Sequence, residues 1–168
     1  TPIGDAMRLR VRELRTAHII HAAFDLRAGE ILGVAGLAGS GRTELLRALA
    51  GADRLLAGSV TLDDTPLDNR GLTWAWRHKI AYIPEERRAQ GLMLSRSIRD
   101  NVTLPHLSAI SRGGLLLHPR REAREAAALG AAVRLKASGV QQTTRELSGG
   151  NQQKILFARG MAGGARLL

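Results

Sequence analysis

A chain of 168 residues, 44% hydrophobic and 24% charged, has the size and composition of one globular domain that builds its core without disulfides, and it contains no cysteine. No apolar run approaches the roughly 20 residues that a membrane-spanning helix needs; this excludes a spanning helix, and without Cys or a signal-peptide pattern the sequence reads as an intracellular piece of something longer. The net charge of +10 would favour nucleic acid, but 22 of the 25 cations are Arg scattered from Arg8 to Arg166 and aromatics are 3%, too sparse for base stacking, so no nucleic-acid partner is expected.

From the N-terminus, Met7 to Leu14 sets Leu9 and Val11 against Arg8, Arg10 and Arg12, the period of a half-buried strand, and Phe24 and Leu26 continue it after a loop. Arg27-Ala28-Gly29-Glu30 reads as a hairpin turn into Ile31-Leu32-Gly33-Val34-Ala35, an apolar run expected to be a central parallel strand buried on both faces. Helix formers from Thr43 to Ala50 end at Gly51, which suits a C-terminal cap. Ser59 to Leu62 reads as a strand closed by the turn Asp63-Asp64-Thr65-Pro66, and Lys79 to Ile83 as another, stopped by Pro84. Between Leu92 and Arg145 strand alternation is lost. Pro119 to Arg134 is rich in Ala, Arg and Glu with Pro where a helix begins, so this segment reads as an inserted helical subdomain. Ser148 to Gly160 is again helical, and Ala165 to Leu168 reads as the opening of a buried strand. The expected division is residues 1–91, a core with a β subdomain, residues 92–146, helical, and residues 147–168, returning to the core.

Gly36-Leu37-Ala38-Gly39-Ser40-Gly41-Arg42-Thr43 fits the phosphate-binding loop pattern with Arg where Lys is expected. Glycines let the backbone turn its N–H groups toward phosphate, and the following helix presents its positive dipole end to the same charge. On this reading Gly36, Gly39, Ser40, Gly41, Arg42, Thr43 and Glu44 bind ATP. Thr43 ligates Mg2+ and Arg42 faces the β and γ phosphates. The alternative is a glycine-rich turn without a ligand. A planar guanidinium does not replace a compact ammonium where phosphate geometry is tight, so Arg42 lowers the expected turnover more than the binding.

Leu147-Ser148-Gly149-Gly150-Asn151-Gln152-Gln153-Lys154 is the most specific string in the chain. Ser148 suits a helix N-cap and the two glycines bare backbone N–H groups for an anion; on its own the string is also compatible with a helix cap alone. It resembles the signature motif of ABC ATPases, and its ending resembles that of importers of ribose, xylose and galactose. The resemblance extends to Gly29-Glu30-Ile31-Leu32-Gly33-Val34 and to Tyr82-Ile83-Pro84-Glu85-Glu86-Arg87-Arg88, where Glu85 stands in place of the Q-loop glutamine or is simply an exposed acid.

That resemblance implies an α/β P-loop NTPase core of the ABC type with an N-terminal antiparallel β subdomain and an inserted helical subdomain, the acidic strand with the catalytic carboxylate following Leu168. No catalytic residue is then expected in this chain, and the fragment alone should not hydrolyse ATP. Arg42 and Glu85 look like the second of two ATPase halves. Its own site would be degenerate, while Leu147, Ser148, Gly149, Gly150, Asn151 and Gln152 act in trans on the nucleotide of the partner half. Expected partners are the second ATPase half and the transporter's membrane subunits, at the cytoplasmic face of the membrane, without direct sugar binding. The stretch Glu85 to Leu104 would touch those subunits, or its Met93, Leu94 and Ile98 would be core. The aromatic residue that the family stacks on adenine is missing between Thr16 and His21, where His18 is the nearest substitute. The competing reading, a non-transport ABC ATPase of DNA repair or translation, is disfavoured because residues 92–145 hold neither heptads nor Cys.

Overall fold

The computed structural model describes the chain apart from Thr1, Pro2, Asp5, residues 68–70, 108–110 and 112–117. The chain forms two compact units, Thr1–Tyr82 and Ile83–Leu168.

The first unit is built on an antiparallel sheet of β1 (Met7–Arg15), β2 (Ala22–Arg27), β3 (Ala57–Leu62) and β4 (Thr65–Pro66) in the order β2-β1-β3-β4. Leu9 and Val11 point inward as their alternation predicts, but the next buried residue is Leu14, which breaks the period of two. The cause is a bulge at Glu13, whose φ of 48° adds a residue to β1 and shifts its register against both neighbours. Asp63 and Asp64, at φ 47° and 62°, make the two-residue left-handed turn that fits strand twist, so Thr65 and Pro66 lie in β4 and not in the turn. The carboxylates of that turn pair with Arg8 and Arg10, and Asp25 of β2 pairs with Arg12. The first unit thus neutralises much of its own arginine charge.

Two helices complete this unit among the described residues. In α1 (Arg42–Leu49), Ala48 and Leu49 are buried, and Gly51 at φ 73° follows the end, as a C-terminal glycine should. Helix α2 (Gly71–Arg77) was not anticipated; its Trp74 ring stacks on His78 at 3.7 Å between centroids. Arg47 of α1 bonds Asp53 at 2.8 and 3.0 Å, and this hydrogen bonding holds the Asp53 carboxyl below its ordinary range. A carboxylate with a depressed folded pKa stabilises above its unfolded pKa and loses that contribution as pH falls through the folded value. The stability difference between the parent and Asp53→Asn is therefore expected to be largest near neutral pH and to shrink progressively as pH falls below the ordinary carboxylate range, read as urea midpoints across an acid series.

The strands expected at Ile31–Ala35 and Lys79–Ile83 are absent. Ile31–Ala35 pairs with no strand among the described residues: Ile31 is 95% exposed, and Leu32 and Val34 are exposed too. A run that is apolar on both faces is buried only by neighbouring strands, and this sheet does not supply them. Lys79–Ile83 is likewise no strand; Lys79 adopts φ 69°, although Ile80 and Ala81 are buried.

The second unit opens with a π turn, Arg87–Gly91, followed by α3 (Ile98–Thr103), a 3-10 turn (Leu104–His106), α4 (Pro119–Ala132), a second 3-10 turn (Thr144–Glu146) and α5 (Gly149–Met161). Ser97 caps α3 by accepting from the Asp100 N–H at 3.1 Å, and Pro119 starts α4 as expected. Leu92, Ile98, Val102, Ala126, Leu147, Ile155, Leu156 and Ala158 form its core, with Leu94 packed against them. Ile98 and Leu94 are thus core residues. The acid Glu122 is buried inside α4, where it accepts from Thr103 Oγ1 at 2.6 Å with Arg99 3.6 Å away. Ala165–Leu168 forms no buried strand, and Leu168 is exposed.

Candidate functional site

The glycine loop lies in the first unit, ahead of α1. Gly39 and Gly41 have φ of 79° and 84°, a region that residues with a Cβ rarely enter, and the Ser40 N–H closes a turn onto Leu37 O at 3.1 Å. Alternating left- and right-handed residues aim successive N–H groups to one side, which makes an anion-binding concavity. At Gly36 the need is space: a Cβ there would run into the Ser40 side chain, with Arg42 Cδ 3.8 Å away. Gly41 occupies the N-cap of α1 and offers no side-chain cap, and a helix N-terminus of this kind suits an anion. Gly36, Gly39, Ser40, Gly41, Arg42, Thr43 and Glu44 therefore stand together, with Arg42 exposed and Glu44 in the first turn.

A cleft of about 340 Å³ adjoins the loop. Ser40, Gly41, Arg42 and Leu45 line one part of it, and His18, Ile20 and His21 of the β1–β2 connection another. Thr16 shapes that connection, its hydroxyl accepting from the His18 and Ile19 N–H groups at 3.1 Å each. No aromatic carbocycle is among the lining residues; Ile20, 87% exposed, and His21 stand beside His18. Sequence reasoning singled out His18 alone, since the hairpin turn that brings its neighbours to the loop carries no motif.

Glu85 and the string Leu147 to Gln152 belong to the second unit. Glu85 is exposed. The string divides by direction. Ser148 and Gly150 are exposed at the start of α5, where a Cβ on Gly150 would meet nothing within 4 Å, and Gly149 between them is half-buried. Leu147 and Gln152 are buried, Gln152 being 4% exposed. Its amide donates to Thr144 O at 3.3 Å and Leu147 O at 3.2 Å, so it shapes the turn from within and does not present itself to a ligand. Ser148 holds the N-cap position, but its hydroxyl makes no cap bond; it accepts from Asn151 Nδ2 at 3.2 Å, while Asn151 Oδ1 accepts from the Lys136 N–H. The first-turn donors of α5 are thereby left uncapped, as in α1. Arg87, two residues after Glu85, donates from Nε to Gln152 Oε1 at 3.4 Å.

A glycine loop opening a helix beside an antiparallel sheet, with a helical unit carrying a serine–glycine–glycine turn, defines an ATP-binding cassette fold. Solved cassettes share it. A dimeric cassette in a post-hydrolysis state bound to ADP and phosphate matches at a TM-score of 0.74 and 21% identity, over 95% of this chain and 70% of that one, and a second dimeric cassette matches at 0.72. The family profile described as ABC transporter matches residues 20–168, and the chain belongs to that family. A protein of Burkholderia ambifaria, named as a ribose/galactose/methyl galactoside import ATP-binding protein, is 45% identical over 98% of this chain and 32% of its own length. An arabinose import ATP-binding protein of Burkholderia thailandensis is 43% identical over 95% of this chain and 32% of its own. A ribose import ATP-binding protein of Chromobacterium violaceum is 39% identical over 96% and 32%. The chain thus spans about a third of the length of these relatives. No helix among the described residues is long and apolar enough to cross a membrane.

Proposed function

We propose that this chain is an ATP-binding module of an ABC importer for carbohydrates, and that it acts at the cytoplasmic membrane face with a second ATPase half and membrane subunits. The observation that carries the reading is the uncapped N-terminus of α1 behind a loop with two left-handed glycines and an adjoining cleft. The 45% identity to an import ATP-binding protein supports the carbohydrate class. The loop's groups fit a triphosphate: Gly39 and Gly41 offer backbone N–H groups, Ser40 its hydroxyl, Arg42 the cation and Thr43 the hydroxyl for Mg2+. Bound Mg2+ would neutralise phosphate charge and polarise the terminal phosphoryl group. Arg42 in place of the ammonium makes this a degenerate site whose main work is binding. The turn of Ser148, Gly149 and Gly150 serves the nucleotide held by the partner half.

Calorimetric titration with Mg-ATP tests the loop. Binding is expected, and Arg42→Ala is expected to weaken it about tenfold or more, the scale of losing one charge-assisted contact to phosphate. No heat from either form, in this chain and in the full-length protein, would leave the loop a structural turn.

A further inference from the structure

We infer that Arg87 is a positioning residue for the turn Ser148–Gly150, holding it through Gln152 and Gly149 in register with the loop that carries Glu85. The inference rests on the trans role proposed above for that turn only where hydrolysis is concerned; the mechanical link stands on geometry alone. Gln152 uses both ends of its buried amide. Nε2 donates to Thr144 O and Leu147 O, the two carbonyls that lead into the turn, and Oε1 accepts from Arg87 Nε. Removing Arg87 leaves that buried oxygen without this donor and frees the amide to rotate.

Gly149 supplies an independent observation. It is not among the glycines with positive φ, so backbone freedom does not explain a glycine there. What a Cβ would meet is Arg87: the guanidinium nitrogen Nη2 lies 3.1 Å and Cζ 3.6 Å from the Cβ position, and no other residue is that near. The guanidinium therefore lies against the first residue of α5, and glycine at 149 gives it room. A cation there opposes the positive end of the helix dipole, and a neutral amide at 3.4 Å is a modest return. The placement gains little for the stability of this unit. What it achieves is to make the Glu85 loop and the start of α5 one hydrogen-bonded piece, so that displacement of residues 85–88 carries the turn with it.

Hydrogen exchange in this chain tests the link without nucleotide. The Gln152 N–H, bonded to Ser148 O at 2.9 Å, is the first amide the helix protects. Arg87→Ala is expected to speed its exchange about tenfold while the urea midpoint stays within error, because a local opening costs less than global unfolding. Gly149→Ala should speed it less, and the double variant should be no faster than Arg87→Ala alone, since the added methyl then meets nothing. In the full-length protein, Arg87→Ala is expected to lower kcat about tenfold with KM for ATP within about twofold, as for a group acting on the other half's nucleotide. Unchanged Gln152 exchange, additive effects of the two substitutions, or a lowered urea midpoint with uniformly faster amides would each overturn the link. Exchange as expected with no hydrolysis by the full-length parent would instead sink the proposed function and leave the link intact.

Discussion

Replacing Asn101 by leucine is expected to destabilise the helical unit by about 3 kcal/mol, from the Met93 N–H and the Thr144 hydroxyl left without their Asn101 partner at roughly 1–3 kcal/mol each. Asn101 is fully buried in α3. Its Oδ1 accepts from the Met93 N–H at 2.8 Å, and its Nδ2 donates to Met93 O, Ser97 O and Thr144 Oγ1 at 2.9, 3.0 and 3.0 Å. Leucine has the same branching and no less volume, so a cavity is not the cause of the loss; the Met93 N–H and the Thr144 hydroxyl lose their Asn101 partner, while Met93 O keeps the Arg96 N–H and Ser97 O keeps the Asn101 N–H. Asn101→Asp restores the acceptor but removes the amide donors and buries a charge, and it is expected to be no better. Urea unfolding followed at α3 and α5 amides reads the loss, and a leucine variant within about 1 kcal/mol of the parent would show that the network is not holding the unit. The effect should extend to the serine–glycine–glycine turn, because Thr144, whose hydroxyl Asn101 holds, also offers the carbonyl that Gln152 binds.

What was legible in the sequence was whatever the chain decides locally. The loop from Gly36 to Thr43 could be read because its glycines answer to φ and close approach, and those are fixed by immediate neighbours. Pro119 and Gly51 marked helix ends for the same reason. The alternation from Leu9 to Val11 gave the strand and its inner face, but not the bulge at Glu13, since an extra residue shows only against the register of two partner strands. Ile31–Ala35 was read as a buried strand from its apolar content, and burial of that kind belongs to neighbours and not to the run itself. At the start of α5 the residue types announced an anion-binding turn, yet the division of labour within it was hidden. Gln152 faces inward by helical geometry, and Arg87 reaches it from 65 residues away, a separation over which spacing carries no signal.

The left-handed pair at the β1 bulge carries the other large expectation. Gly58→Ala should cost the sheet about 3 kcal/mol or more, combining a positive-φ penalty near 1 kcal/mol with forced overlap of backbone atoms. Gly58 has φ of 86°, and a Cβ there would collide with the Glu13 carbonyl group and Arg12 O. No rotamer relieves this, because the obstacle is main chain, itself held at φ 48° by the bulge. The strands must separate where Arg12 opposes Ser59 and Arg15 opposes Ala57, or the bulge must move and turn Leu14 out of the core. Gly71→Ala in the same unit separates the two terms, since Gly71 has φ of 79° with nothing within 4 Å of its Cβ position, and should cost only about 1 kcal/mol. Urea midpoints for both variants, with exchange at the Val11 and Val60 amides, give the comparison. Equal losses would mean that φ alone sets the cost, and a Gly58 loss several times larger would show that the bulge and the glycine opposite it form one fitted joint.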